Sequence, residues 1–246
     1  MLDALAHKPN GGASLSEISA LVGMSRSTTH RYLTTLEKLG AVERDAGDRF
    51  RLGPHLIELA GAFLAGADLR TESMALLQEL ADRTQETIHL AVPSGSEIVY
   101  IGKVDSPQAI QMYSHIGARL PMHCTALGKS ILPFVDADQI ETVIAGGLSA
   151  RTPRTITSPS GLREELARVR EQGFAIDDEE NELGVRCVGA PIFDYRQTAI
   201  GAVSVSGPTS RMTRERAATL GPVVREVAAG ISRRMGAVRE QGGMPM

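Results

Sequence analysis

Near the start of the chain, Ser14-Leu15-Ser16-Glu17 has the S-x-x-E spacing in which a hydroxyl and a carboxylate each satisfy a free backbone N–H at a helix start. A helix is therefore expected from Leu15. Leu15, Ile18, Leu21 and Val22 recur at helical spacing as its apolar face, and Gly23 supplies the turn that ends it. Ser25 is placed to cap a second helix over residues 26–39, which should direct Tyr32, Leu33, Leu36 and Leu39 inward. By steps of three and four, Ser27, Thr28, Arg31, Thr35 and Lys38 fall on its other side.

After Gly40, residues 41–45 and 48–52 read as short strands around a turn at Ala46-Gly47, with Phe50 and Leu52 on one face and Arg49 and Arg51 on the other. Together these are the parts of a winged helix-turn-helix. A basic, hydroxyl-bearing helix face suits a major groove, where arginine pairs with guanine or phosphate. The wing guanidiniums would reach phosphates or a minor groove beside it. The candidate DNA-binding residues are Arg26, Ser27, Thr28, His30, Arg31, Arg49 and Arg51, and the partner is double-stranded operator DNA. A solvated helix face produces part of this pattern, but capping, turn and wing together point to DNA.

With 246 residues, 42% hydrophobic and 22% charged, the chain has the composition of an ordinary soluble protein of two domains. A net charge of −3 argues against general coating of nucleic acid, although residues 1–53 hold seven basic and six acidic side chains and the remainder carries the acidic excess. No apolar run reaches roughly eighteen residues and no leader pattern opens the chain, so a cytoplasmic protein with no membrane partner is expected. Cys124 and Cys187 lack paired spacing and are expected as free thiols.

Residues 2–6 resemble the stub of a supporting helix. Leu56, Ile57, Leu59, Ala60, Phe63 and Leu64 form a wide apolar stripe that fits pairing with the same helix of a second copy, giving two readers for two half-sites. A helix over 69–83 follows. Strands are expected at 87–92, 97–104, 109–114, 174–176, 185–193 and 198–206, with helices at 126–134, 136–144, 160–172 and 213–235. Helices mixed with an antiparallel sheet make the fold class α+β. The expected organisation is a reader over 1–53, a linker helix over 54–68 and a second domain over 69–246.

Two stretches put polar groups where a sheet domain should be apolar. His123-Cys124-Thr125-Ala126-Leu127-Gly128-Lys129 places small residues at a helix start, where free N–H groups favour an anion. A phosphate-loop reading fails because His123 stands where its first glycine is needed. Lys129 fits a surface or interface lysine as well as a ligand contact. The second stretch joins residues 177–181 to the strand around Cys187 and to Ser204 and Ser206, which share one side of their strand. It fits a pocket of small polar groups on an apolar scaffold, and equally an edge strand beside a solvated acidic turn.

His123, Cys124 and Asp177 can be drawn as catalytic groups, but neighbours on a strand point to opposite faces, so no enzyme is expected. The same residues with Cys187 are acceptable zinc ligands without the close spacing of structural sites, so no metal and no cofactor is expected. A metal-dependent sensor or a small-molecule enzyme remains the alternative, with a protein-binding adaptor as a third class.

The chain resembles the IclR family of bacterial transcriptional regulators. The resemblance rests on residues 14–39, Leu52-Gly53, Pro121-Met122-His123-Cys124-Thr125-Ala126-Leu127-Gly128-Lys129, Gly184-Val185-Arg186-Cys187-Val188-Gly189-Ala190-Pro191-Ile192 and Val203-Ser204-Val205-Ser206-Gly207-Pro208. It implies an N-terminal winged helix-turn-helix, a linker helix and a C-terminal GAF-like antiparallel-sheet effector domain. It implies as well a homodimer or dimer of dimers that senses a small metabolite, often a carboxylate. Carried over position by position, the effector would meet the backbone N–H groups of Ala126 and Leu127, the side chains of Asp177 and Cys187, and the hydroxyls of Ser204 and Ser206. Asp177 beside a carboxylate would then need a proton, or a ligand hydroxyl to bond. The short first helix departs from the family pattern.

Overall fold

The computed structural model describes residues 1–6, 8, 12–66, 68–109 and 113–238. The chain divides into two compact units, Met1–Ala67 and Asp68–Met246.

In the first unit, helices α1 (Leu2–Ala6), α2 (Leu15–Val22) and α3 (Arg26–Lys38) precede strands β1 (Val42–Arg44) and β2 (Phe50–Leu52) and helix α4 (His55–Gly66). The capping box forms as its spacing requires. The Ser14 N–H donates to Glu17 Oε2 at 2.7 Å, the Glu17 N–H donates to Ser14 Oγ at 3.3 Å, and Gly23 closes α2 at φ +65°. Leu5, Ile18, Leu33, Val42 and Phe50 meet in the core.

Three expected core residues point outward instead: Leu21, Tyr32 and Leu39 are 58%, 47% and 59% exposed. The buried line of α3 runs through Thr29 and Leu33, and at about 100° per residue Tyr32 and Leu39 fall to its sides. The wing strands are shorter than expected because Asp45 Oδ1 accepts the N–H groups of Gly47 at 2.8 Å and Arg49 at 3.0 Å, which tightens the turn. Ala13 also bridges to Phe50, a pairing not foreseen.

On α4, Ile57 and Leu59 are 75% and 52% exposed. Leu56, also of the expected stripe, is half-buried, and the side chains of Ala60, Phe63 and Leu64 lie outside the described residues. No described helix is long and apolar enough to cross a membrane.

The second unit runs α5 (Leu69–Thr84), β3 (Thr87–Ser94), β4 (Glu97–Val104), β5 (Arg119–Pro121), α6 (Ala126–Ile131), a 3-10 turn (Leu132–Phe134), α7 (Ala137–Ala145), α8 (Pro159–Gln172), β6 (Ala175–Asp178), β7 (Val185–Phe193), β8 (Ala199–Pro208) and α9 (Arg214–Arg234). Its six strands form one antiparallel sheet in the order β5-β4-β3-β8-β7-β6. The fold is α+β.

Of the expected strand over 109–114, residues 110–112 lie outside the described residues, and Ala109, Tyr113 and Ser114 are not in a strand. The neighbour of β4 is β5, which was not expected. The helix expected over 126–134 passes into the 3-10 turn at Pro133, whose ring nitrogen has no hydrogen to donate.

Two glycines set the layers. A Cβ at Gly189 would sit 2.9 Å from the Ala126 carbonyl, so α6 lies directly on one sheet face. A Cβ at Gly201 would sit 3.0 Å from the Leu69 side chain, which places α5 on the other.

Candidate functional site

The reader face of α3 is built from its N-terminus. Ser25 caps the helix by accepting the Thr28 N–H at 3.2 Å, and its hydroxyl also donates to Thr28 Oγ1 at 2.9 Å. Arg26, Ser27, His30 and Arg31 are exposed and Thr28 is half-buried, so these five expected residues share the first turns of one helix.

The wing arginines are engaged within the protein. Arg49, expected on the outer face, donates to the Gly12 carbonyl at 3.0 Å and to Glu17 at 3.2 Å, tying β2 to the start of α2. Arg51 stands opposite Glu43 in the β1–β2 register and pairs with it at 2.8 Å, though it stays 58% exposed. Both guanidiniums stay partly exposed on the outer face of the hairpin, each beside a carboxylate.

In the second unit the sheet register assembles the other site. Residues directly opposite on antiparallel strands project to the same side. One rung carries Asp177, Cys187 and Ser206, and the next carries Gly189, Ser204 and His89. Because Gly189 has no side chain, the start of α6 closes over these rungs. Ala126, Leu127, Asp177, Cys187, Ser204 and Ser206, the six residues implied by the family resemblance, all line one cavity of about 210 Å³.

The cavity is also lined by residues that sequence reasoning missed, among them His89, Tyr100 and Arg151. His89 stacks on Tyr100 with ring centroids 4.5 Å apart, and lies 2.7 Å from Ser114 Oγ through Nε2 and 3.3 Å from Ser206 Oγ through Nδ1. The alternation of β3, which puts His89 and Ala91 on one face, was the available signal. Arg151 comes from the irregular segment between α7 and α8, which has no periodicity to read. Its Nε donates to the Asn181 carbonyl at 3.3 Å, and no carboxylate among the described residues pairs with it.

Burial sets the charge states inside. Burial and the nearby Lys103 cation hold His89 down to about 3, so it is a neutral imidazole. Burial and the neighbouring Glu180 carboxylate push Asp177 up to about 7, against the Glu180 and Asn181 N–H groups that donate to its Oδ1 at 2.7 and 3.3 Å. Burial, followed by Asp177, pushes the Cys124 thiol to about 12, and the Cys187 thiol is pushed up by burial as well. Such thiols are poor nucleophiles.

Lys129 reaches neither the surface nor the cavity. It is fully buried, and its ammonium donates to Glu165 at 3.0 Å, to the Ile176 carbonyl at 2.6 Å and to Glu180. The solvated-turn alternative fails too, since Asp177 and Glu180 are buried. His123 and Cys124 lie in a turn, not a strand. His123 Nε2 bonds the Ser149 carbonyl at 3.1 Å, and Cys124 Sγ lies 4.0 Å from Asn181 Oδ1, so the two are not a catalytic pair. Among the described residues no group of three His, Cys, Asp or Glu could hold a metal ion.

Comparison with known proteins places both units. The family model described as the bacterial transcriptional regulator IclR C-terminal matches residues 61–233, and the model of the IclR helix-turn-helix domain matches residues 1–46. The regulator KdgR of Escherichia coli is 38% identical over 238 residues, covering 96% of this chain and 90% of its own. The regulator XynR of Escherichia coli is 37% identical over 225 residues, covering 90% and 89%. The crystal structure of the Agobacterium tumefaciens repressor BlcR superposes with a TM-score of 0.86 at 31% identity, covering 97% and 95%. These relatives are regulators and repressors rather than enzymes. A capped reader helix with a wing, followed by a sheet domain whose polar rungs face a cavity, is matched by family models across both units, and this chain belongs to the IclR family of bacterial transcriptional regulators.

Proposed function

We propose that a small organic acid bound in the second unit's cavity controls how tightly the reader helix holds double-stranded operator DNA. The observation that carries this reading is the convergence of neutral His89, the Ser204 and Ser206 hydroxyls and Asp177 in one cavity of about 210 Å³, with Arg151 beside them. Scaled from a benzene-sized cavity, that volume takes roughly eight non-hydrogen atoms. An acid suits it, because Arg151 offers a guanidinium with no carboxylate of its own among the described residues.

On the DNA side, Arg26, Ser27, Thr28, His30 and Arg31 form the contact face, with Arg51 flanking it. The protein works in the cytoplasm as a homodimer or a dimer of dimers, so that two readers meet two half-sites. The test is a thermal-shift screen of small acids on the wild type and on Ser204→Ala, followed by titration of the gene's own upstream DNA at several salt concentrations. An acid that stabilises only the wild type and changes a steeply salt-dependent affinity is expected. Salt-independent DNA binding, or a screen in which no acid stabilises the wild type, would refute the proposal.

A further inference from the structure

His89 lines the cavity from β3, where it stands across from Ser204 of β8 on one side and Lys103 of β4 on the other. Its side chain is 1% exposed, and its ring lies 14° from parallel with that of Tyr100. The stack covers a face of the imidazole and leaves its edge to bond. Both nitrogens on that edge meet a hydroxyl: Nε2 lies 2.7 Å from Ser114 Oγ, and Nδ1 lies 3.3 Å from Ser206 Oγ.

A buried imidazole whose partners are hydroxyls stays neutral, with one N–H and one lone pair. The chain of bonds then has only two directions. In the first, Ser114 donates to Nε2 and the Nδ1 proton is donated to Ser206. In the second, Ser206 donates to Nδ1 and the Nε2 proton is donated to Ser114. Two observations select the first. O–H donors make shorter hydrogen bonds than N–H donors, and the short contact is the one with Ser114. The Lys103 ammonium donates to the Ser114 carbonyl at 2.9 Å, so a cation stands on the Nε2 side, where a lone pair is favoured over an N–H. Lys103 is also paired with Asp105 at 2.7 Å, so the distances weigh more than the field.

We infer that His89 is a positioning residue that keeps its proton on Nδ1, gives it to Ser206 Oγ, and so leaves the Ser206 hydroxyl proton to the cavity. This rests on the effector reading above and adds the direction of the bond at that point. With Ser206 a donor, the site favours an effector that places a carboxylate or carbonyl oxygen there. In the opposite direction the Ser206 proton would be spent on the imidazole, and an acid oxygen facing Ser206 would meet only lone pairs. Competition for the freed proton is weak: Ser204 Oγ is 3.5 Å from Ser206 Oγ, at the edge of hydrogen-bond reach, and the Cys187 thiol is a poor acceptor.

The test needs no effector. In full-length protein carrying 15N-histidine, long-range 1H–15N correlation NMR separates a protonated ring nitrogen from a bare one. The His89 signals are assigned by their loss in His89→Gln, or in His89→Asn should the first variant not fold. The wild type should show a protonated Nδ1 and a bare Nε2. Ser206→Ala should move the proton to Nε2, where Ser114 can accept it, a change of tautomer that loss of packing alone does not produce. A proton on Nε2 in the wild type, wholly or in part, overturns the inference, and so does a proton that stays on Nδ1 in Ser206→Ala. Should Ser206→Ala not fold, the wild-type tautomer decides. Failure here leaves the cavity proposal standing, because that proposal is judged by the acid screen and the operator titration.

Discussion

Arg31 is exposed on α3, with its guanidinium 5.8 Å from the Tyr32 ring centroid, and no carboxylate among the described residues holds it. Arg31→Ala should weaken operator binding by about 1–3 kcal/mol if the contact is to a base, or lower the salt slope by about one if it is to a phosphate. Fluorescence anisotropy at several salt concentrations distinguishes the two, and the response to acid should be unchanged. Two other residues set opposing pH slopes. His89, held to about 3 against an ordinary 6.5, contributes stability fully present above 6.5 and lost as pH falls toward 3. Asp177, raised to about 7 from 3.8, contributes stability fully present below 3.8 and lost as pH rises toward 7. Between about pH 4 and 6.5 the two slopes oppose each other, so relative to wild type Asp177→Asn should gain more stability with rising pH, by up to ~1.4 kcal/mol per unit, and His89→Gln should gain less. Urea melts across that window read both slopes. Five of the six cavity residues were legible because they sit in motifs with a family counterpart, and Asp177 because it opens the acidic stretch 177–181. His89 and Arg151 were not, since one becomes a cavity residue only once β3 is paired with β8 and the other only once an aperiodic segment is placed.

Among the elements, α2 and α3 could be read almost to the residue because their ends are chemical: a capping box at Ser14, a left-handed Gly23 and a hydroxyl cap at Ser25. Ser14→Ala should cost the first unit about 1 kcal/mol, visible as faster amide exchange in α2. The wing was read too long because its turn depends on Asp45 reaching two backbone N–H groups, which spacing does not reveal. The three-residue β5 carries too little alternation to announce itself. The contact of α6 with β7 was equally hidden, although it shapes the cavity. Gly189→Ala would drive a methyl to 2.9 Å from the Ala126 carbonyl oxygen and 3.1 Å from the Leu127 nitrogen. Backbone cannot yield as a side chain does, so a loss of about 1–3 kcal/mol is expected in thermal melts, together with a weakened response to acid.

For the whole molecule, two compact units were foreseeable from length and from the shift of periodicity after the wing, and the family models match in the same order. What composition could not supply is a surface for the proposed pairing of two readers. Ile57 and Leu59 on α4 are 75% and 52% exposed. Charging both, as Ile57→Glu with Leu59→Glu, should shift the protein toward smaller species in light scattering and reduce operator affinity at least about tenfold, while each unit keeps its own fold. Unchanged mass and affinity would assign that stripe to another purpose. The alternation of β8 has a broader consequence. Ser204 and Ser206 serve the cavity, while Val203 and Val205, one step out of phase, are buried among apolar side chains on the opposite face of the same strand. Chemical preference and mechanical integrity are thus written on alternate letters of one segment. A lineage could exchange one metabolite for another by rewriting every second letter, leaving the intervening ones, and the scaffold that depends on them, unedited.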